Sequence, residues 1–367
     1  MQKKYDVAVV FGGVSNENEV SVITGTMACN VLIKGGKSVL PVYVDHEGIM
    51  RAGEQLADVT IYKQQSYLKF PQAGIMGGGF VLCDKKGKPK IKAEVGCVLN
   101  CCHGGVGEGG AVAGACAFFN LPCASAGLFE SAAFMDKYYT KLVLRSLDIK
   151  LAKYAYSRDI TGAIEGAKKI GYPVIVKPAK LGSSIGIAKA ANEKELEEAL
   201  KVAFELDDGV LIEQFLSPRR EINCAAYLSG GKITVSELEE VTSAGAILSY
   251  DDKYTGGGER VFPAHLDEPT EKHIKSEVEK VYSALNMRGV VRFDYIICGN
   301  QCYLSEVNTV PGSLSQYLLS DSYKAFYKVL CGVIEQAVSD FEEHGKKRVI
   351  KTGILNNIVS NGCKVKR

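Results

Sequence analysis

Residues 5–11 (YDVAVVF) form a short apolar run closed by Gly12-Gly13, the pattern of a strand that ends in a turn. Ser15 and Glu17 then precede apolar positions Val20, Val22, Met27 and Val31, a helix start followed by a helical stripe. Residues 38–44 are again apolar and β-rich. Strand, helix, strand with glycines at the first turn predicts an open parallel sheet. Residues 53–93 carry no clear period: a polar stretch, Gly77-Gly78-Gly79 and a lysine-rich turn, expected to be surface elaboration of this first unit. A strand at 95–100 and a helix at 111–119 follow.

Farther along, a helical pattern at 131–149 carries Lys137 and Lys141, and a second covers 161–170. Residues 173–178 are a strand ending in Lys177-Pro178. The small-residue loop Gly182-Ser183-Ser184-Ile185-Gly186 comes next, before another strand. Its backbone N–H groups suit a flap over phosphates with Lys177 at the base; the plainer reading is a hairpin loop beside a surface lysine. An amphipathic helix at 193–206 leads to a strand at 210–215 that ends Glu213-Gln214-Phe215-Leu216, with Glu221-Ile222-Asn223 just beyond. A strand edge beside acidic groups suits an adenine and its ribose, although the pattern alone is common. Residues 242–263 read as a long loop or broken strand containing Tyr250-Asp251-Asp252-Lys253-Tyr254, and loops of that length in compact domains are often lids. A helix at 268–285 precedes the most informative stretch.

That stretch is a hairpin. Residues 290–297 are β-branched and apolar, 298–301 supply a turn, and 302–307 run back. Side chains alternate faces along a strand, so Arg292 and Asp294 share one face of the first strand and Glu306 and Asn308 share one face of the second. In register, Asp294, Glu306 and Asn308 become three oxygen donors with an arginine beside them. Such hard donors suit Mg²⁺, which binds through one or two carboxylates plus substrate phosphates.

Composition narrows the class. The chain has 367 residues, enough for two or three domains, with 46% hydrophobic residues, 23% charged residues and 39 glycines, as in a packed α/β protein. Lys and Arg total 44 against 42 Asp and Glu, which leaves no global field for nucleic acid. Twelve cysteines lie scattered through apolar runs with no C-x-x-C pair, the usage of buried reduced thiols. Cys101-Cys102-His103 is not a soft-metal cluster, because adjacent cysteines rarely ligate one ion. No apolar leader or membrane-length run occurs, so a cytoplasmic location is expected. Two phosphate-loop decoys are present. Gly36-Lys37-Ser38 lacks the leading glycine of a Walker loop, since Val31 stands there. Residues 105–110 satisfy G-x-G-x-x-G, the sole support for a dinucleotide-dependent oxidoreductase, but Glu108 inside the turn would repel a pyrophosphate.

In order, the chain carries G-G-x-S-x-E-x-E-V-S at 12–21, H-G-x-x-G-E at 103–108, Met135-Asp136-Lys137 and K-P at 177–178. It continues with G-S-S-x-G at 182–186, Y-x-x-K-Y at 250–254, R-x-D at 292–294 and E-x-N-T-x-P-G at 306–312. As a set, over about residues 5–340, this resembles the D-alanine–D-alanine ligase family of ATP-grasp enzymes, which includes the D-alanine–D-serine and D-alanine–D-lactate ligases. The resemblance implies an α/β ATP-grasp fold of three domains: a Rossmann-like substrate domain at 1–127, a small central domain at 128–213, and a domain bearing the metal and acceptor sites at 214–367. It implies a ligase that passes the γ-phosphate of ATP to the carboxylate of D-alanine and lets the amine of a second D-amino acid displace it, for peptidoglycan synthesis. An ATP-grasp ligase with another carboxylate and amine is the nearest alternative. Lys137 and Lys177 would hold the α- and β-phosphates, helped by Ser184 in the flap, and Lys253 the γ-phosphate. Glu213, Phe215 and Leu216 would flank the adenine, with Glu221 on the ribose. Asp294, Glu306 and Asn308 would bind two Mg²⁺ ions, with Mn²⁺ as a substitute. Arg292 and the Gly312 N–H would stabilise the tetrahedral oxyanion. Glu17 would hold the first ammonium and join Ser183 and Tyr254 in a bonded group, with His103 near the first carboxylate. Family members are often homodimers, and nothing in this sequence marks an interface.

The chain departs from the family pattern twice. Gly109 stands where an aspartate is usual, which predicts altered local bonding. Tyr317 falls where family members tend to carry a serine that helps bind the second substrate's carboxylate. The acceptor pocket of Ser315, Tyr317 and Leu318 is therefore expected to differ in shape, leaving D-alanine, D-serine or another D-amino acid as second substrate. Tyr254 argues against D-lactate.

Overall fold

The computed structural model describes residues 2–84, 86–242, 259–345 and 352–353. Three sheets organise them. In the first, Gln2–Gly12 lies between Val39–Val44 and Pro89–Asn100, all parallel, and Cys123–Ala124 adds a further parallel strand. The expected parallel sheet is thus its centre. Its edges are antiparallel, because Met50–Ala52 turns back on one side while Ala73–Met76 and Gly79–Cys83 extend the other. Residues 53–93, expected to be surface elaboration, therefore build part of the sheet itself. Helix Asn18–Lys34 packs on one face together with Tyr323–Gly345. Phe11, Leu32, Phe326 and Leu330 lie in the core they share.

The second sheet has the order Ala188–Ala190, Val174–Pro178, Val210–Gln214, Tyr154–Ser157, all antiparallel. Helices Ile160–Ile170 and Glu193–Leu206 bury Ala163, Ala167, Leu196 and Leu200 against Val174, Val176, Val210 and Ile212. Asp159 and Asn192 cap them by accepting from Gly162 N and Glu195 N. The single helix expected at 131–149 is two, Leu128–Met135 and Lys137–Ser146. Asp136 breaks it: its side chain accepts from Tyr138 N at 2.8 Å and Tyr139 N at 3.3 Å, capping the second helix.

The third sheet runs Glu259–Val261, Glu239–Thr242, Arg220–Ser229, Val290–Cys298, Gln301–Asn308, with Lys232–Val235 beside Arg220–Ser229. The alternation read at 290–297 decides its faces. Val291, Phe293, Tyr295 and Ile297 are buried against helix Glu268–Ala284, while Arg292 and Asp294 lie on the other face. Every cysteine among the described residues is free, and no helix among them is long and apolar enough to cross a membrane.

Tyr282 fastens that helix to the sheet. It is 1% exposed, and its hydroxyl donates to Gly289 O at 2.7 Å and accepts from Leu228 N at 3.1 Å. Tyr282→Phe leaves both backbone groups without this partner. The expected loss is about 1–3 kcal/mol in denaturant unfolding, and an unchanged midpoint would contradict the assignment.

Candidate active site

Helix Lys137–Ser146 carries Lys141 into the space between the second and third sheets. There its Nζ meets Glu213 Oε1 at 2.7 Å and donates to Ser305 O at 3.2 Å. Lys177, on Val174–Pro178, meets Glu213 Oε2 at 2.5 Å from the neighbouring strand. All three side chains are buried. Burial alone would raise the Glu213 pKa, but the two ammonium groups outweigh it and hold the carboxyl at about 2. Burial works against the Lys177 charge too, yet Glu213, Glu306 and Glu221 keep its pKa above the ordinary lysine value. The cluster lies at the inner end of a narrow cleft whose walls include Ile175, Leu216, Ile296 and Leu304 beside charged Lys141, Lys177 and Arg219. Apolar walls with a few placed charged groups are the lining that small-molecule sites use. Phe215 sits near the cleft with Lys189 Nζ 4.2 Å and Arg219 5.4 Å from its ring centre, and Arg219 pairs with Glu221 at 2.7 Å. Lys137 donates its Nζ to Leu181 O, beside the small-residue loop.

The hairpin register is the one the alternation requires. Asp294 faces Glu306, and Arg292 faces Asn308. A bulge follows Asp294, re-aiming the strand beyond the polar row. Arg292 grips Asp294 with two bonds, Nε to Oδ1 at 2.7 Å and Nη2 to Oδ2 at 2.9 Å, and Asn308 Nδ2 donates to the same Oδ2 at 2.9 Å. Among the described residues no three His, Cys, Asp or Glu side chains cluster into a ready metal cage. The donor set is two carboxylates and an amide, which fits a hard cation completed by phosphates.

The turn after the first strand joins this site. Glu17 accepts a hydrogen bond from Ser183 Oγ of the small-residue loop. A Cβ at Gly104 or at Gly182 would come within 2.4 Å of the same carboxylate, so only glycines let both loops close on it. Ser183 and Ser184 both adopt left-handed backbone, φ 51° and 59°, which L-residues hold at a cost. His103 is buried, its Nε2 2.7 Å from Thr24 Oγ1, with the Val310 backbone beside the ring. Thr24 Oγ1 already accepts from Ser313 N at 2.9 Å, so its hydroxyl proton is left for Nε2. Burial, reinforced by the Arg292 charge, pushes the His103 pKa down to about 4, keeping the ring neutral.

Glu108 answers the question of the glycine turn. Its carboxylate accepts from Gly104 N at 2.8 Å and Val310 N at 3.3 Å, the role a pyrophosphate would need to take. Burial raises its pKa to about 7 against the pull of those two N–H groups. The far end of the hairpin is unusual. After Gly312, residues Ser313, Leu314 and Ser315 have φ 49°, 47° and 50°, a full left-handed turn without glycine. Leu314 in the core, 3% exposed, and the Ser313–Thr24 bond hold it there. Ser315 and Leu318 are buried as expected of a pocket wall, and the Ser315 hydroxyl has no hydrogen-bond partner among the described residues. Tyr317 lies in the field of Arg292.

Of the residues named from sequence, the fold brings Glu17, Ser183, Lys177, Glu213, Arg292, Asp294, Glu306 and Asn308 into one region, with His103 and Gly312 at its edge. Lys253 and Tyr254 lie outside the described residues. Sequence reading gave no role to Lys141, whose only signal is a lysine one helical turn from Lys137, or to Thr24 and Glu239.

Glu213 sets an acid limit. Its folded pKa of about 2 lies below the ordinary 4.5, so its stabilisation is fully present above pH 4.5 and is lost as pH falls toward 2. Glu213→Gln leaves two buried ammonium groups uncompensated, with an expected loss of about 3–5 kcal/mol. Thermal melts from pH 7 to 3 should show the wild type losing stability on acidification and the variant starting lower; equal midpoints at pH 7 would contradict the pairing.

The sequence matches the family descriptions "D-ala D-ala ligase N-terminus" over residues 6–126 and "D-ala D-ala ligase C-terminus" over residues 144–326. It is 33% identical over 362 residues to the D-alanine–D-alanine ligase of Thermosipho melanesiensis, covering 95% of this chain and 98% of that one. The fold is similar to the crystal structure of D-alanine–D-alanine ligase from Helicobacter pylori, with TM-score 0.74, 28% identity and coverage of 91% and 98%. It also resembles the VanG D-Ala:D-Ser ligase of Enterococcus faecalis, with TM-score 0.74 and coverage of 93% and 100%; at 23% identity that likeness shows the fold alone. Fold, site and sequence agree that this chain belongs to the D-alanine–D-alanine ligase family.

Proposed function

We propose that this protein is an ATP-dependent, ADP-forming ligase that joins D-alanine to a second D-amino acid, D-alanine or D-serine, for peptidoglycan precursors. The observation that carries the reading is the meeting of two charged groups at strand Gln301–Asn308. Lys141 bonds the Ser305 carbonyl, and the neighbouring Glu306 lies in the field of Lys177. A buried cationic slot thus opens onto a row of hard oxygen donors, the arrangement that phosphoryl transfer requires.

In this reading the adenine enters the cleft past Phe215 and Leu216, Glu221 takes the ribose, and Lys137, Lys177 and Ser184 hold phosphates, with Lys253 on the γ-phosphate. Asp294, Glu306 and Asn308 would hold two divalent ions, Mg²⁺ or Mn²⁺. When bound, such ions neutralise charge on the phosphates. Glu17, fixed by Ser183 and expected to be joined by Tyr254, offers its carboxylate to the ammonium of the first D-alanine. A carboxylate oxygen of that D-alanine attacks the γ-phosphorus and ADP leaves. The second amine attacks the acyl carbon, loses its proton, and phosphate departs with the former carboxylate oxygen. Arg292 and the Gly312 N–H face the oxyanion formed in that attack; a Cβ at Gly312 would meet nothing within 4 Å, which leaves room for substrate. His103, neutral and buried, serves here as a positioning residue for the turn after Gly312. In this reading the chain divides into a Rossmann-like domain at 1–127 and further domains at 128–213 and 214–367, a division supported by the presence of three separate sheets. A cytoplasmic homodimer acting on small molecules goes with the reading.

The test is phosphate release from Mg-ATP with D-alanine alone and with D-serine, D-lactate or glycine added, with products identified by mass. A D-alanyl dipeptide is expected, and no D-amino-acid-dependent turnover would overturn the reading. Glu306→Gln should lower turnover roughly 100-fold or more with an unchanged melting temperature; wild-type turnover in that variant would remove the metal assignment.

A further inference from the structure

Tyr317 is the chain's sharpest departure from the family pattern, and its surroundings are as unusual as the residue. Its side chain lies in the field of the part-buried Arg292, whose Nε and Nη2 are already taken by Asp294. A phenol carries a proton of its own to donate. The Arg260 guanidinium lies across the Tyr317 ring, 5.4 Å from its centre, within cation–π range. Arg260 is anchored from behind by Glu239, which is buried and 3.5 Å away. Glu239 in turn accepts from Asn223 Nδ2 at 3.3 Å, and Asn223 pairs across the sheet with Asp294. Arg260 is thereby tied to the same transverse row of side chains as the metal-site carboxylates. It is not itself sealed in: 47% of its side chain is exposed. Among the described residues it meets Glu239 and the Tyr317 ring, and a guanidinium carries five N–H donors in a planar fork.

We propose that Arg260 is a specificity-determining residue of the acceptor site: with the Tyr317 hydroxyl it binds the α-carboxylate of the second substrate. This rests on the ligase reading and deepens it. A serine hydroxyl offers a carboxylate one neutral hydrogen bond. The Tyr317–Arg260 pair offers a hydroxyl polarised by Arg292 and a guanidinium that matches the carboxylate fork. The ring also reaches farther than a serine and narrows the pocket, which favours acceptors with a small side chain and a free carboxylate and disfavours amides and alcohols. A purely structural Arg260, clamping Tyr317 through its ring, would weaken all acceptors alike.

The experiment uses the full chain with Mg-ATP and D-alanine as donor, and compares D-alanine with D-alaninamide as acceptor, separating the products by mass. The wild type should favour the acid. Arg260→Gln should raise the acceptor KM for D-alanine about tenfold or more, change the amide little, and leave the KM for ATP unchanged. Arg260→Lys, which keeps the charge, should restore part of the preference. Equal losses for acid and amide, or no change in either, would overturn the assignment. If Arg260→Gln does not fold, Tyr317→Phe carries the test: removal of the hydroxyl alone should erode the preference for the acid, and an unchanged preference counts against the pair. A wild type that forms no D-alanyl dipeptide at all would overturn the ligase reading, and this inference with it.

Discussion

The site depends on a carboxylate that two lysines share. Glu213 lies buried between Lys141 and Lys177, and none of the three is tolerable there alone, since an unpaired buried charge costs several kcal/mol. Each member comes from a different element: a helix and two adjacent strands. The Lys141 bond to Ser305 O reaches the hairpin of the third sheet. Satisfying one electrostatic demand therefore fixes the spacing between the second and third sheets. Two buried ammonium groups set that spacing apart from a plain core and underlie its proposed role as a place for phosphates.

A second constraint operates where the first sheet meets the end of the hairpin. Glu108 and His103 come from one loop, Thr24 from the first helix, and Val310 and Ser313 from the far side of the site. Together they hold three successive non-glycine residues in left-handed backbone, a conformation that costs of order 1–2 kcal/mol per residue. Strain of this kind persists only where the surroundings over-determine it. Here it is stored in the turn that follows Gly312, beside Arg292, where a reacting carbonyl would need rigid donors. The neutral state of His103 belongs to the same device, because an imidazolium could not accept from Thr24.

Local pattern made the hairpin legible. Alternation along 290–297 and 302–308 settled which residues share a face, and the observed register puts Asp294 opposite Glu306 as that requires. The small-residue loop between two strands and the helices at 161–170 and 193–206 were equally readable. Residues 53–93 were not, because strands of four and five residues are too short to display a period. The break at Asp136 was hidden by continuous helical propensity on both sides of one capping residue. Long-range pairing escaped for a different reason: nothing local separates Lys141 from a solvent-facing helical lysine, and only the approach of Glu213, 72 positions later in the chain, gives it a role. Arg260 and Glu239 were missed likewise, since Arg260 meets the Tyr317 ring only across a long stretch of chain and Glu239 reaches it through Arg260.

The central claim is that one charged cleft brings a D-alanine carboxylate to the γ-phosphate of ATP. The most direct measurement follows oxygen. D-Alanine labelled with ¹⁸O in its carboxylate is turned over with unlabelled Mg-ATP, and the released phosphate is analysed by mass. An acyl-phosphate route predicts one ¹⁸O atom in each phosphate released. Phosphate free of ¹⁸O, alongside normal dipeptide formation, would contradict the account.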